Sequence, residues 1–102
     1  MDVIQIDSST QICEVAHDLE RSLMRVRFHR NGRAREDYFE FIEVPRSVFE
    51  EFRRIEDDAK AAGKHFGKAD KPQNIGRYYH GTLRALFSGV RVRPDGVRVP
   101  LV

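Results

Sequence analysis

Apolar residues recur with two different periods along this chain, and the period separates strands from helix. Between Leu23 and Arg30 every second residue is apolar, which predicts a β-strand with one apolar and one polar face. From Pro45 to Ala62 the apolar residues recur at steps of three and four, which predicts an amphipathic helix. The two strand faces hold Met24, Val26 and Phe28 on one side and Arg25, Arg27 and His29 on the other. The helix stripe holds Val48, Phe52, Ile55, Ala59 and Ala62, with Phe49 half a turn away and only partly buried.

Three further segments in the first half have the pattern of strands. The residues from Tyr38 to Val44 are rich in aromatic and β-branched side chains, and those from Met1 to Ile6 alternate as an added edge strand would. Asn31-Gly32 predicts a tight hairpin, since both residues tolerate a positive φ. The segment from Ile12 to His17 also alternates, with Cys13, Val15 and His17 on one predicted face and Ile12, Glu14 and Ala16 on the other.

The C-terminal part has a weaker pattern until its last residues. Residues 64–74 form a polar loop, and residues 75–87 have mixed periodicity in which Gly81 argues against one continuous helix. Pro94-Asp95-Gly96 predicts a turn between two short Val/Arg segments, 90–93 and 97–99. We expect a terminal hairpin with its valines on one face and its arginines on the other.

These elements predict an α+β fold in a single domain, residues 1–102. A small antiparallel β-meander of three to four strands is packed on one face by the Pro45–Ala62 helix, and a C-terminal β-hairpin is added. No apolar run approaches the ~20 residues that cross a bilayer, and no export signal is visible at the N-terminus. The lone Cys13 excludes an internal disulfide and fits a reducing compartment. We therefore expect a cytoplasmic protein.

The net charge of +2 hides an uneven distribution. Residues 1–59 carry nine Lys/Arg and fourteen Asp/Glu, whereas residues 60–102 carry nine Lys/Arg and only Asp70 and Asp95. A basic half of this kind can bind a polyanion. It can equally lie on the acidic helix of its own chain.

The order of several short segments resembles the KTSC domain, a module named for the C-terminus of some lysyl-tRNA synthetases that also occurs alone in bacterial and phage proteins. These segments are SSTQICEVAHD (8–18), LMRVRFHRNG (23–32) and FEFIEVPRSVFEEF (39–52). The resemblance covers about residues 8–79 and leaves residues 80–102 as an extension. The matching positions are Ile12, Val15, Asp18, Met24, Val26, Phe28, Gly32, Phe39, Phe41, Val44, Pro45, Val48, Gly63, Phe66, Ile75 and Tyr78.

The chain departs from the family pattern at three places. Phe39-Glu40-Phe41 replaces a Tyr-x-Tyr strand, and Ala16-His17 stands where Gly-Tyr is usual. An insertion at 68–74 separates the last two matched segments. The function usually suggested for the family, and therefore implied by the resemblance, is nucleic-acid binding, of RNA especially.

Two groups of residues are candidates for contact with nucleic acid, because they combine basic side chains with aromatic rings. The first lies in the C-terminal part: Lys64, Lys68, Lys71, Arg77, Tyr78, Tyr79, Arg84, Arg91, Arg93 and Arg98. The second lies on the sheet: Arg25, Arg27, His29 and Tyr38. The alternative for the second group is that Arg25 and Arg27 form ion pairs with acidic residues on neighbouring strands, with Glu14, Glu36 or Glu40.

No catalytic or metal-binding motif stands out. His17, His29, His65 and His80 lack the spacing of a metal site, and Glu50, Glu51, Glu56, Asp57 and Asp58 are expected on the solvated face of the helix. The sequence therefore predicts a non-enzymatic module without a cofactor that binds RNA or single-stranded nucleic acid through a basic C-terminal surface. The alternative is a protein-interaction or self-association module that uses a sheet edge, the C-terminal hairpin, or the acidic helix of a second copy.

Overall fold

The computed structural model describes residues 1–30, 32–62 and 74–101. Asn31, Gly63, Lys64, Lys68 and Lys71 lie outside these ranges, so the predictions made for them are not addressed by the fold. The strands are β1 (Asp2–Gln5), β2 (Ile12–Asp18), β3 (Leu23–Arg30), β4 (Arg33–Ala34), β5 (Tyr38–Phe41), β6 (Gly89–Val92) and β7 (Arg98–Pro100). The helices are α1 (Arg46–Ala61), α2 (Ile75–Tyr78), a π-helical turn (Tyr79–Leu83) and α3 (Arg84–Leu86).

All the strands belong to one antiparallel sheet. The order across the sheet is β1-β2-β3-β5-β6-β7, and the short β4 pairs with β3. The expected α+β fold with one main helix is confirmed, but the sheet has more strands than the three to four that we predicted. The terminal hairpin is not a separate addition, because β6 pairs with β5 and carries the sheet one hairpin further.

One face of the sheet is covered by α1 and by the helical segment 75–86, and the core lies between these two layers. Val26, Met24 and Phe41 from the sheet are fully buried there, as is Phe52 from α1. Burial of a side chain of this size contributes about 1.5–3 kcal/mol. The predicted faces of β3 and the helix-on-sheet arrangement are therefore confirmed.

The buried stripe of α1 is one position wider than the sequence suggested. Phe49 was expected to be partly buried, but it is 0% exposed and stacks on His17 with ring centroids 5.7 Å apart. Glu56 was expected in solvent and is also 0% exposed. Both residues share a helix side with Phe52, at spacings of three and four residues, so the layer that covers Phe52 also covers them.

Glu56 is buried because the loop after β1 uses it as an acceptor. Its carboxylate accepts hydrogen bonds from the backbone N–H of Asp7 at 2.8 Å and from the Ser8 hydroxyl at 2.5 Å. Lys60 lies 3.7 Å away on the next helical turn. These partners satisfy a charge that would otherwise be costly to bury, and they fix the loop against α1.

The predicted faces of β2 were wrong at Ile12, because the strand register shifts between Ile12 and Glu14. Ile12 lies opposite Phe28 whereas Glu14 lies opposite Arg27, so Cys13 is an extra residue between two ladder positions. As a result Ile12 joins Val15 on the core face. Glu14 keeps its predicted place on the other face, together with Ala16.

The register of the terminal hairpin overturns the prediction of one valine face and one arginine face. Val92 lies opposite Arg98, and Arg91 lies opposite Val99. Because cross-strand partners share a face, each face of the hairpin carries both residue types.

The helical segment 75–86 contains a π-helical turn around Gly81. The prediction that this segment is not one regular α-helix is confirmed. Phe28 and Phe41 pack edge-on against Tyr79, with centroid distances of 5.3 and 5.9 Å. The turn thus places Tyr79 in the core. In the described ranges, no helix is long and apolar enough to cross a membrane.

Candidate functional site

The face of the sheet that points away from α1, called here the outer face, carries two rows of side chains that run across the strands. The strand register fixes which residues share a row. The first row contains Gln5, Glu14, Arg27, Tyr38, Val92 and Arg98. The second row contains Val3, Ala16, Arg25, Glu40, Val90 and Pro100.

Tyr38 lies at the middle of the outer face with two guanidinium groups beside its ring. The Cζ atom of Arg25 is 4.9 Å from the ring centroid, and that of Arg27 is 5.7 Å from it. Both distances are within the range of a cation–π interaction. The three side chains therefore form one aromatic and cationic unit across two neighbouring strands.

Glu40 holds two arginines from different strands. Arg25 Nε donates to one carboxylate oxygen at 2.9 Å, and Arg98 Nη1 donates to the other at 2.7 Å. Burial alone would raise the pKa of Glu40, but the hydrogen bonds from Arg98 and Arg25 outweigh it and hold the pKa below its usual value. The carboxylate therefore stays charged at neutral pH, and one positive charge is left over in the group of three.

Asp37 forms a second group of this kind just before β5. Arg35 donates to it twice, at 2.8 and 2.9 Å, and Arg91 Nε donates at 2.6 Å. Burial would raise the pKa of Asp37, but the hydrogen bonds from Arg91 and Arg35 lower it overall. Arg91 lies opposite Phe39 in the register, which places it on the core side of the sheet.

Arg27 is held mainly by backbone oxygens. Its Nη1 donates to the carbonyl of Arg35 at 2.6 Å and to that of Glu36 at 3.5 Å, while its Nε lies 3.9 Å from Glu14. The alternative of cross-strand ion pairs is therefore confirmed for Arg25 with Glu40 and for Arg27 with Glu14. Glu36 contributes only its backbone.

An open cavity of about 220 Å³ lies on the outer face beside Tyr38. Ala16 is the smallest side chain in its row, and it leaves room between the larger residues around it. The sequence placed Ala16 on this face but gave no sign of the cavity, because the space depends on which residues the register brings alongside. The lining residues are Met1, Val3, Glu14, Ala16, Arg25, Arg27 and Tyr38.

The predicted C-terminal group does not form one surface in the described part of the chain. Tyr79 was expected to stack on bases, but it is 1% exposed. Burial raises the pKa of its hydroxyl, partly opposed by Arg84. Tyr79 is therefore a core residue, and its ring is closed to a ligand.

The other members of that group that the structure describes are spread over several parts of the molecule. Tyr78 is half-buried and packs edge-on against Phe52 at 4.9 Å, while Arg77 and Arg84 are exposed on the helical segment. Arg93 lies 3.6 Å from Asp95 in the turn of the hairpin. Arg98 joins the second predicted group, because Glu40 binds both Arg98 and Arg25.

His29, the last member of the second group, lies near the far end of β3. Its Nε2 is 3.4 Å from the carbonyl oxygen of Ser9, so its ring points toward the loop after β1. A smaller polar cavity of about 100 Å³ adjoins this loop. Its lining residues are Ser8, Ser9, Thr10, Gln11, Asn74, Ile75 and Gly76.

Comparison of the chain with protein-family models and with curated proteins returned no match. The candidate site is therefore defined by its own geometry: Tyr38 with Arg25 and Arg27 beside an open cavity, on a sheet face that none of the described helices covers.

Proposed function

We propose that this chain is a small, non-enzymatic, cytoplasmic module that binds single-stranded nucleic acid, RNA especially, with the outer face of its sheet. The observation that carries the proposal is Tyr38, with the guanidinium groups of Arg25 and Arg27 beside its ring on a face that no other described element covers. A sheet that presents an aromatic ring among arginines suits unpaired bases, which stack on rings and on guanidinium planes. We also propose membership of the KTSC family on the resemblance described above.

The charge of the outer face supports a polyanionic ligand. Arg25, Arg27 and Arg98 face Glu14 and Glu40, so the face retains one positive charge. A backbone that crosses the face can therefore meet excess positive charge at its centre.

The test is the binding of a fluorescently labelled, mixed-sequence single-stranded RNA, followed by anisotropy. Replacing Tyr38 by alanine removes the stacking ring, and we expect affinity to fall by about 1–3 kcal/mol. Tyr78 is the matched control, because it is also half-buried but lies on the helical side. Tyr78→Ala, which removes a ring of the same size, should bind like the wild type.

Failure of the wild type to bind RNA at low salt would rule out this function. Equal affinity of the wild type and of Tyr38→Ala for the RNA would show that the binding site is not on the outer face.

A second candidate function is protein interaction or self-association at the β7 edge. Val97 and Val99 are 48% and 41% exposed there, and within the described ranges no strand pairs with the far side of β7. An open edge of this kind can add a strand from a partner.

Light scattering at high concentration tests this second function. A dimer that becomes a monomer in Val99→Lys supports it. A wild type that is monomeric at every concentration measured would rule out self-association.

A further inference from the structure

We propose that the cavity beside Tyr38 is a base-selective subsite that prefers guanine over the other three bases. This inference rests on the proposed function and goes beyond it, because it names the base that the site takes. It depends on three features of the cavity: its size, its walls and the carboxylate of Glu14.

The size of the cavity suits one small ring system. Sites for drug-sized ligands measure roughly 300–1,000 Å³, and this cavity measures about 220 Å³. A single base can therefore enter it, while the attached sugar and phosphate stay outside over the arginines.

The lining residues combine apolar and stacking surfaces. Val3 and Ala16 contribute apolar surface on β1 and β2, and Arg25, Arg27 and Tyr38 line the cavity on the neighbouring strands β3 and β5. Aromatic rings and guanidinium planes are the groups on which single-stranded bases stack.

Glu14 is the lining residue that can read the edge of the base. One of its oxygens, Oε2, accepts a hydrogen bond from the exposed Gln5 amide at 3.2 Å. The other, Oε1, lies 3.9 Å from Arg27 Nε, which is beyond hydrogen-bond distance. An ionised carboxylate only accepts hydrogen bonds, so Glu14 selects a base edge that donates.

Guanine is the base whose edge matches a carboxylate. Its ring N1–H and exocyclic N2 amino group lie side by side, so the two carboxylate oxygens can accept from both. Adenine and cytosine place a ring acceptor beside their amino donor, and uracil flanks its single N–H with two carbonyls. A carboxylate facing any of these edges meets at least one lone pair, and that mismatch disfavours them.

The experiment measures anisotropy with short RNAs that differ at one base in an oligouridine background. The central base is guanine, inosine, adenine, cytosine or uracil, and the protein is the full chain. We expect the guanine oligonucleotide to bind about tenfold more tightly than the adenine, cytosine and uracil ones, as a good bidentate contact predicts. Inosine lacks the N2 amino group and should fall between guanine and the rest.

Two variants locate the preference in the cavity. Glu14→Gln should abolish the guanine preference without weakening binding to the other oligonucleotides, because it removes a negative charge from the face. Ala16→Val should fill part of the cavity with a residue that suits a strand, and it should also abolish the preference. Glu36→Gln is the matched control, since Glu36 is exposed and does not line the cavity, and it should keep the preference.

The outcomes separate this inference from the function on which it rests. Binding of all five RNAs with equal affinity overturns the guanine subsite and leaves the proposed function standing. A preference that survives in Glu14→Gln also overturns it. Failure to bind any of the RNAs overturns both.

Discussion

Helical periodicity did not predict that Phe49 of α1 is fully buried. Phe49 is one position from the stripe of Val48, Phe52 and Ile55, and its ring is nevertheless enclosed between the helix and His17 of β2. Arg46 and Arg53 cover the same ring, with their Cζ atoms 4.6 and 5.3 Å from its centroid. A periodic pattern identifies the centre of a stripe, whereas its width depends on the partner layer.

The first prediction concerns the stability that Phe49 contributes. Phe49→Ala should lower the free energy of unfolding by about 3–5 kcal/mol, as much as Phe52→Ala, because both rings are fully buried. Urea unfolding followed by circular dichroism measures both losses. A cost for Phe49→Ala under 1 kcal/mol would contradict the burial of this ring.

The second prediction concerns the pH dependence of stability at Glu40. Its pKa is lower in the folded protein than in the unfolded chain, so between the two values the unfolded chain binds more protons. The stabilisation is therefore complete above the ordinary carboxyl pKa, near pH 4.3, and is lost as the pH falls through the folded-state value. Urea midpoints measured from about pH 2 to 6 should rise with pH.

Glu40→Gln should flatten that rise, because the variant has no carboxylate to protonate. Glu50→Gln is the control, since its exposed helix-surface ion pair with Arg53 contributes little. An unchanged pH profile in Glu40→Gln would show that the pairs with Arg25 and Arg98 do not stabilise the fold.

At the scale of elements, the junction of β5 and β6 carries the terminal hairpin into the sheet. Gly89 lies opposite Phe41 in this junction, and it lacks the side chain that would point at the phenyl ring. A Cβ atom at position 89 would lie 2.6 Å from two ring carbons of Phe41. The close approach of β6 to β5 therefore requires glycine at this position.

The third prediction compares two glycines, one with no room for a Cβ atom and one with open space around that position. Gly89→Ala should destabilise the protein by about 1–3 kcal/mol, because a buried ring has to move. Gly81→Ala should be neutral or stabilising by up to ~1 kcal/mol, since nothing lies within 4 Å of its Cβ position and the segment is helical. Thermal melts of both variants measure the two effects. Equal melting temperatures for Gly89→Ala and Gly81→Ala would contradict the packing of β6 on β5.

At the scale of the whole molecule, the sequence predicted the parts of the fold that depend on local pattern. The strand β3, its two faces and the helix α1 follow from periodicity within each segment, and these predictions are confirmed. The prediction that Tyr79 is available to stack on bases was wrong. The π-helical turn begins at Tyr79, directly after Tyr78, and it alters the helical phase there. Gly81 marks an interruption in residues 75–87, but the pattern does not show how that interruption shifts the helical phase.

The candidate site was predictable in its residue types and less so in its arrangement. Alternation placed Arg25 and Arg27 on one face, and Tyr38 was expected on the neighbouring strand. The partners of Arg91 and Arg98 depend on the register between β5, β6 and β7, which is set by long-range pairing. The nucleic-acid site that we propose therefore lies on the outer face, whereas the sequence had indicated the C-terminal part.

The salt dependence of RNA binding tests this location most directly. Each phosphate that the protein neutralises contributes a slope of about −0.7 in log K against log salt. Arg27→Gln with Arg98→Gln should therefore flatten the slope by about 1.4 if both arginines contact phosphates. Arg53→Gln with Arg54→Gln removes the same charge from the exposed face of α1, and we expect it to leave the slope unchanged. The reverse result, with the slope altered only by the α1 pair, would contradict binding on the outer face.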